Sequence, residues 1–112
     1  MTEELVTLET AKLLKEKGFN ERKYLIDVST LNHCYKYLSV PPQSIAQKWL
    51  RETKNIHICV YNYACGYGYE ISKADNGTHI TSSIYEGPND CGKWDIYEEA
   101  LEAGLQEALK LI

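Results

Sequence analysis

One phenylalanine stands against nine tyrosines in these 112 residues, so the aromatic content leans toward rings with a polar tip. Such side chains suit half-wet positions better than a dry core. Basic charge is also scarce: 12 lysines and arginines meet 16 aspartates and glutamates, for a formal charge of −4. A primary nucleic-acid binder usually carries the opposite balance, because phosphate neutralisation needs a basic field. No apolar run approaches the roughly 18 residues of a membrane span, so no membrane contact is expected. Met1-Thr2-Glu3-Glu4 is an acidic start without the positive and apolar regions of a secretory signal, which makes the cytoplasm the expected compartment.

The cysteines lack a metal signature as well. Cys34, Cys59, Cys65 and Cys91 include no C-x-x-C pair, and their spacings of 25, 6 and 26 residues fit no common zinc pattern. Four cysteines allow two disulfides in three connectivities, but in a cytosolic chain reduced thiols are expected. Gly66-Tyr67-Gly68 is no dinucleotide fingerprint, since the third glycine and the following helix are missing; a turn and a bulge explain these glycines better.

The clearest positive signal is the stretch from Asp95 to Ile112. Asp95 and Glu98 form a D-x-x-E variant of the capping box, and Ala100, Leu101, Gly104, Leu105, Ala108, Leu109 and Ile112 recur at helical spacing. Near the other terminus, Thr7 caps a helix from Leu8 to Lys17, and Gly18 ends it so that Phe19 folds back on Leu14 in a Schellman arrangement. Tyr24 to Val28 and Cys34 to Leu38 read as short strands joined by a turn at Ser29 to His33. Pro41-Pro42 then opens a helix from about Pro42 to Thr53, with Ile45, Ala46, Trp49 and Leu50 on its inner face.

Three further strands follow, at Ile56–Tyr63, Tyr67–Lys73 and Thr78–Tyr85. Asn76-Gly77 as a two-residue turn would set Ile71 opposite Ser82 and Tyr69 opposite Ile84. Cys65-Gly66 at the centre of the earlier turn would set Val60 opposite Ile71. One face would then hold Ile56, Ile58, Val60, Tyr69, Ile71, Ile80 and Ile84. The expected architecture is α+β: one domain over residues 1–112 in the order α-β-β-α-β-β-β-α, with an antiparallel sheet of about three to five strands and the helices on one face.

That register leaves His57, Cys59, Tyr61, Tyr63, Glu70, Ser72, Thr81, Ser83 and Tyr85 on the opposite face. Tyr61, Tyr63, Tyr85 and His57 are the candidate partner-binding residues, for a protein partner or a second copy of the chain. The plainer reading is that cross-strand tyrosines simply stabilise a solvent-facing sheet. A zinc site from His57, Cys59 and Cys65 with His79 or Cys91 is the sharpest chemical alternative, yet Cys65 falls in a turn, so no metal or other cofactor is expected. His33 and Cys34 are adjacent on a strand and point apart, and no catalytic motif stands out. Glu98, Glu99, Glu102 and Glu107 read as the solvated face of the last helix. Lys12, Lys15, Lys17, Arg22 and Lys23 are the only basic concentration; they support an alternative reading as a nucleic-acid-associated regulator. The strand-like Tyr24 to Val28, however, stands where a recognition helix would be needed.

Val6–Phe19 and Tyr97–Leu109, together with Gln43–Glu52 followed by Ile56-His57-Ile58, resemble a group of short uncharacterised proteins from phages, prophages and mobile elements of gut anaerobes. The resemblance spans most of the chain. It implies a mobile-element origin and a bacterial cytosol, and it brings no catalytic residues with it. The expected function is therefore a non-enzymatic protein-binding or accessory module.

Overall fold

The computed structural model of the protein describes residues 4–31, 36–63, 66–83 and 94–112. Within them the chain runs α1 (Leu8–Glu16), β1 (Leu25–Asp27), β2 (Tyr37–Ser39), α2 (Gln43–Thr53), β3 (Ile56–Tyr63), β4 (Gly66–Lys73), β5 (His79–Ser82) and α3 (Tyr97–Lys110). Short 3-10 turns at Arg22–Tyr24 and Ser29–Leu31 flank β1. The class is α+β with antiparallel pairing throughout, but the strands form two sheets, β1-β2 and β3-β4-β5. The first two strands are shorter than the sequence pattern suggests. Residues 32–35, with the end of the expected turn and the start of the second strand, lie outside the described residues.

The ends of α1 follow local chemistry. The Thr7 hydroxyl accepts from the Thr10 amide at 3.2 Å. At the other end Gly18 has a φ of 108°, and the amides of Phe19 and Gly18 donate to Leu14 O at 2.9 Å and Lys15 O at 3.2 Å. Those two bonds are the Schellman pair. In α2, Pro42 occupies the cap position, and Ala46 and Leu50 are buried while Ile45 and Trp49 pack at the margin of the core. Asn55 follows α2 in the left-handed region at φ 58°. Its carbonyl accepts from Ala74 N at 3.0 Å and its side-chain Oδ1 from Asp75 N at 2.9 Å, which clamps the turn between β4 and β5 onto the end of the helix.

The start of α3 departs from the capping-box reading. The helix begins at Tyr97 with Ile96 in the cap position and no side-chain cap bond. Upstream, Trp94 pairs with Tyr67 through Tyr67 N–H to Trp94 O at 2.7 Å and Trp94 N–H to Tyr67 O at 3.3 Å. This tertiary pairing fixes Trp94 against β4, the chain then bends at Asp95 and Ile96, and Ile96 instead of Asp95 falls in the cap position. The buried stripe is as expected: Ala100, Leu101, Gly104, Leu105, Ala108 and Leu109.

In the larger sheet, β3 pairs with β4 as Ile58↔Ile71 and Val60↔Tyr69, two residues from the expected pairing of Val60 with Ile71. A shift of two preserves the faces. The glycines of Gly66-Tyr67-Gly68 form no turn or bulge here; they are strand residues opposite Tyr63 and Tyr61. The β4–β5 register is a correction of another kind. The connection is a four-residue loop, Ala74 to Gly77, closed by Gly77 N–H to Lys73 O and Lys73 N–H to Thr78 O, both at 2.8 Å. Gly77 has a φ of 74°, which a side chain would resist. Ser72 then pairs with His79, and an irregularity before Ile71 leaves Ile80 without an opposite number, so that Ile71 faces Thr81 and Glu70 faces Ser82. β5 is therefore slipped by one residue from the expected pairing of Ile71 with Ser82, because a bulge absorbs the extra residue. Ile80, assigned to the buried face, is 38% exposed, and Thr81 shares the helix-facing side with Ile71. Ile84 and Tyr85 lie outside the described residues.

Helices α2 and α3 cover the side of this sheet that carries Ile56, Ile58, Val60, Tyr69 and Ile71. Contact is closest at Gly104, where an added Cβ would meet Ile58 Cγ2 at 2.9 Å and Tyr69 Cγ at 3.2 Å. Helix α1 packs on α3 and carries the β1-β2 ribbon. The two helices run parallel: Thr7 and Thr10 bond to Glu102, Thr10 to Gln106, and Lys17 Nζ to Ile112 O.

Candidate functional site

Strand alternation and register together make the outer side of the β3-β4-β5 sheet a small grid of polar and aromatic groups. One row is His57, Ser72 and His79; the next is Cys59, Glu70 and Ser82; the third begins with Tyr61 opposite Gly68. Neither α2 nor α3 lies on this side, because both occupy the isoleucine-bearing one. Cys59 is an exposed free thiol, and His57 and Tyr61 are half-buried.

The groups on this face are already partly organised. His79 Nδ1 and Glu70 Oε2 are 3.0 Å apart, with the two side chains 40% and 44% exposed. An exposed pair of this kind contributes at most about 1 kcal/mol. Tyr61 reaches across β4 at Gly68, the one position in its path without a side chain. Its hydroxyl donates to Tyr69 O at 3.1 Å and shares a 2.8 Å hydrogen bond with the Ser82 hydroxyl on β5. Tyr61 thus joins three strands, and what it offers outward is ring surface, not a free hydroxyl. Ser83 turns in to β4 as well, its hydroxyl accepting from Tyr69 N at 3.0 Å.

Of the four expected binding residues, His57 and Tyr61 stand four residues apart on the outer side of β3, with Cys59 between them. Tyr63 is paired through its backbone with Gly66, but its side chain, like the whole of Tyr85, lies outside the described residues. Cys34, Cys65 and Cys91 lie outside them too, and among the described residues no three His, Cys, Asp or Glu side chains converge where a metal ion could be held.

A second polar centre escaped the sequence reading. Glu102, expected on a solvated face, lies where the N-terminal ends of all three helices meet. Its Oε2 accepts from Thr7 N at 3.0 Å, from Thr7 Oγ1 at 2.9 Å and from Thr10 Oγ1 in a short contact, while Oε1 accepts from Gln43 Nε2 at 2.8 Å. Gln43, 4% exposed, also donates to Glu98 O at 2.9 Å. A carboxylate suits this place because helix N-termini present unsatisfied N–H groups and positive dipole ends. The sequence hint was weak: Thr7-x-x-Thr10 offers hydroxyls one helical turn apart, and nothing local points from them to residue 102.

Comparison with family models, with curated proteins and with solved structures gives no match to this chain. No helix among the described residues is long and apolar enough to cross a membrane.

Proposed function

We propose that the protein is a non-enzymatic protein-binding or accessory module of mobile-element origin, and that the outer side of the β3-β4-β5 sheet is its docking face. The observation behind this reading is the one-sidedness of the sheet, with both covering helices on the isoleucine side and an exposed thiol, half-buried aromatic groups and the hydrogen-bonded His79–Glu70 pair on the other. Tyr61 arrives pre-organised by its two hydrogen bonds, so docking against its ring would cost little side-chain entropy. Cys59 has no hydrogen-bonded base among the described residues, which favours a contact role over a nucleophilic one.

A photo-activatable residue replacing Cys59 tests this in cells, with the same residue replacing exposed Arg51 on α2 as control. Discrete adducts at position 59, absent from position 51 and removed by His57→Glu, are expected. Equal labelling at both positions, or adducts indifferent to His57→Glu, would contradict the assignment.

A further inference from the structure

Two surface grooves with linings of unlike charge lie at the two ends of α1. At the N-terminal end of this helix Glu4, Leu5, Thr7, Gln43, Ile96, Glu98, Glu99 and Glu102 line a groove of about 280 Å³. At the C-terminal end Lys15, Phe19, Asn20, Arg22, Leu25 and Ser39 line another of about 250 Å³. Glu102 is spent on internal hydrogen bonds, but Glu4, Glu98, Glu99 and, at the other end, Arg22 have no ion-pair partner among the described residues. Each groove also carries large exposed apolar side chains, Leu5 at 53% and Ile96 at 49% in the acidic one and Leu25 at 45% in the basic one.

Helix dipoles explain part of the pattern, since acidic groups suit helix N-termini and basic groups the C-termini. They do not explain why leucine and isoleucine stand open beside those charges. Two grooves of similar size and opposite lining charge, each with an exposed large apolar side chain, at opposite ends of one helix, are complementary in charge to each other and unlike themselves. Such surfaces pair heterologously, and repeating a heterologous contact gives a ring or an open chain.

We propose that the protein associates head to tail with further copies of itself, the acidic groove of one copy taking the basic groove of the next. The contact is independent of the outer sheet face. Because the charges are exposed, it weakens as salt shortens the screening length from about 10 Å at 0.1 M to about 3 Å at 1 M.

The test is the mass of the full chain in solution by light scattering, at low and high salt. In low salt the mass should rise with concentration, and it should return to that of the monomer near 1 M salt, on the order of the Debye limit above. Glu98→Lys with Glu99→Lys removes the acidic end; Lys15→Glu with Arg22→Glu removes the basic end. Each variant alone should stay monomeric, and an equal mixture of the two should stop at the dimer, since each contributes one working end. Leu5→Ser with Ile96→Ser provides a second acidic-end variant that leaves the charges in place, and it too should stay monomeric. His57→Glu, on the outer sheet face, should leave the association unchanged. A wild-type protein that is monomeric at every concentration, association that survives loss of either end, or a mixture that fails to dimerise would each overturn the proposal.

Discussion

Gly104 shows how far one residue can be committed by its neighbours. Alanine in a helix interior is favoured over glycine by about 1 kcal/mol, so Gly104→Ala would stabilise a free helix. Here the new methyl would lie 2.9 Å from Ile58 Cγ2 and 3.2 Å from Tyr69 Cγ. Ile58 is 1% exposed and β-branched, so it has no easy rotamer to retreat into. Overpacking of this kind costs about 1–3 kcal/mol. Gly104→Ala should therefore be less stable in urea unfolding despite its better helix propensity; an increase in stability would mean that α3 does not sit on Ile58. Asp27 makes a different commitment. Its carboxyl titrates below the ordinary 3.8, first because the Ser29 hydroxyl donates to it at 2.7 Å and then because the Ser29 amide does so at 2.9 Å. A depressed carboxylate stabilises the fold above its ordinary pKa, and the contribution is lost as pH falls through the lowered value. In an NMR titration the Asp27 midpoint should lie below 3.8 and move up toward it in Ser29→Ala.

Among the elements, Glu102 is the point on which the three helices depend together. Charge-assisted hydrogen bonds contribute about 1.5–3 kcal/mol. Glu102→Ala strips acceptors from Thr7, Thr10 and Gln43 at once. A loss of about 2–3 kcal/mol is expected, while Glu107→Ala on the same helix should cost under about 0.5 kcal/mol as a surface change. Equal effects in thermal melts would show that Glu102 is no hub. The elements also show what a sequence can display. The ends of α1, the span of β3 and the buried stripe of α3 were legible because each is set by residues within about one turn of each other, through capping, alternation or helical period. The start of α3 and the β4–β5 register were not. Trp94 is held by Tyr67, 27 positions earlier, and a bulge at Ile80 resets the pairing that Asn76-Gly77 alone would give. Glu102 was misread for the same reason, since its partners Thr7 and Gln43 lie 95 and 59 residues away.

For the molecule as a whole, the claim that matters is which side of the β3-β4-β5 sheet is closed. Alternation in Ile56-His57-Ile58-Cys59-Val60-Tyr61 was enough to sort the two sides, and a register error of two on β4 left that sorting intact. Of the site expected on the open side, His57 and Tyr61 could be placed from period alone. The tie from Tyr61 to Ser82 could not, because it depends on Gly68 lying between them and on the slipped β5 register. If that side is open, Cys59 should react as a surface thiol, whereas a cysteine one residue earlier should be shielded by α3. The most direct test is therefore thiol alkylation of the native protein, mapped by mass spectrometry and compared with Ile58→Cys in a Cys59→Ser background. Labelling of Cys59 within about tenfold of its rate in denaturant is expected, with position 58 protected until the chain opens globally, as core sites are. Protection of Cys59 together with rapid labelling at position 58 would show that the sheet is turned the other way.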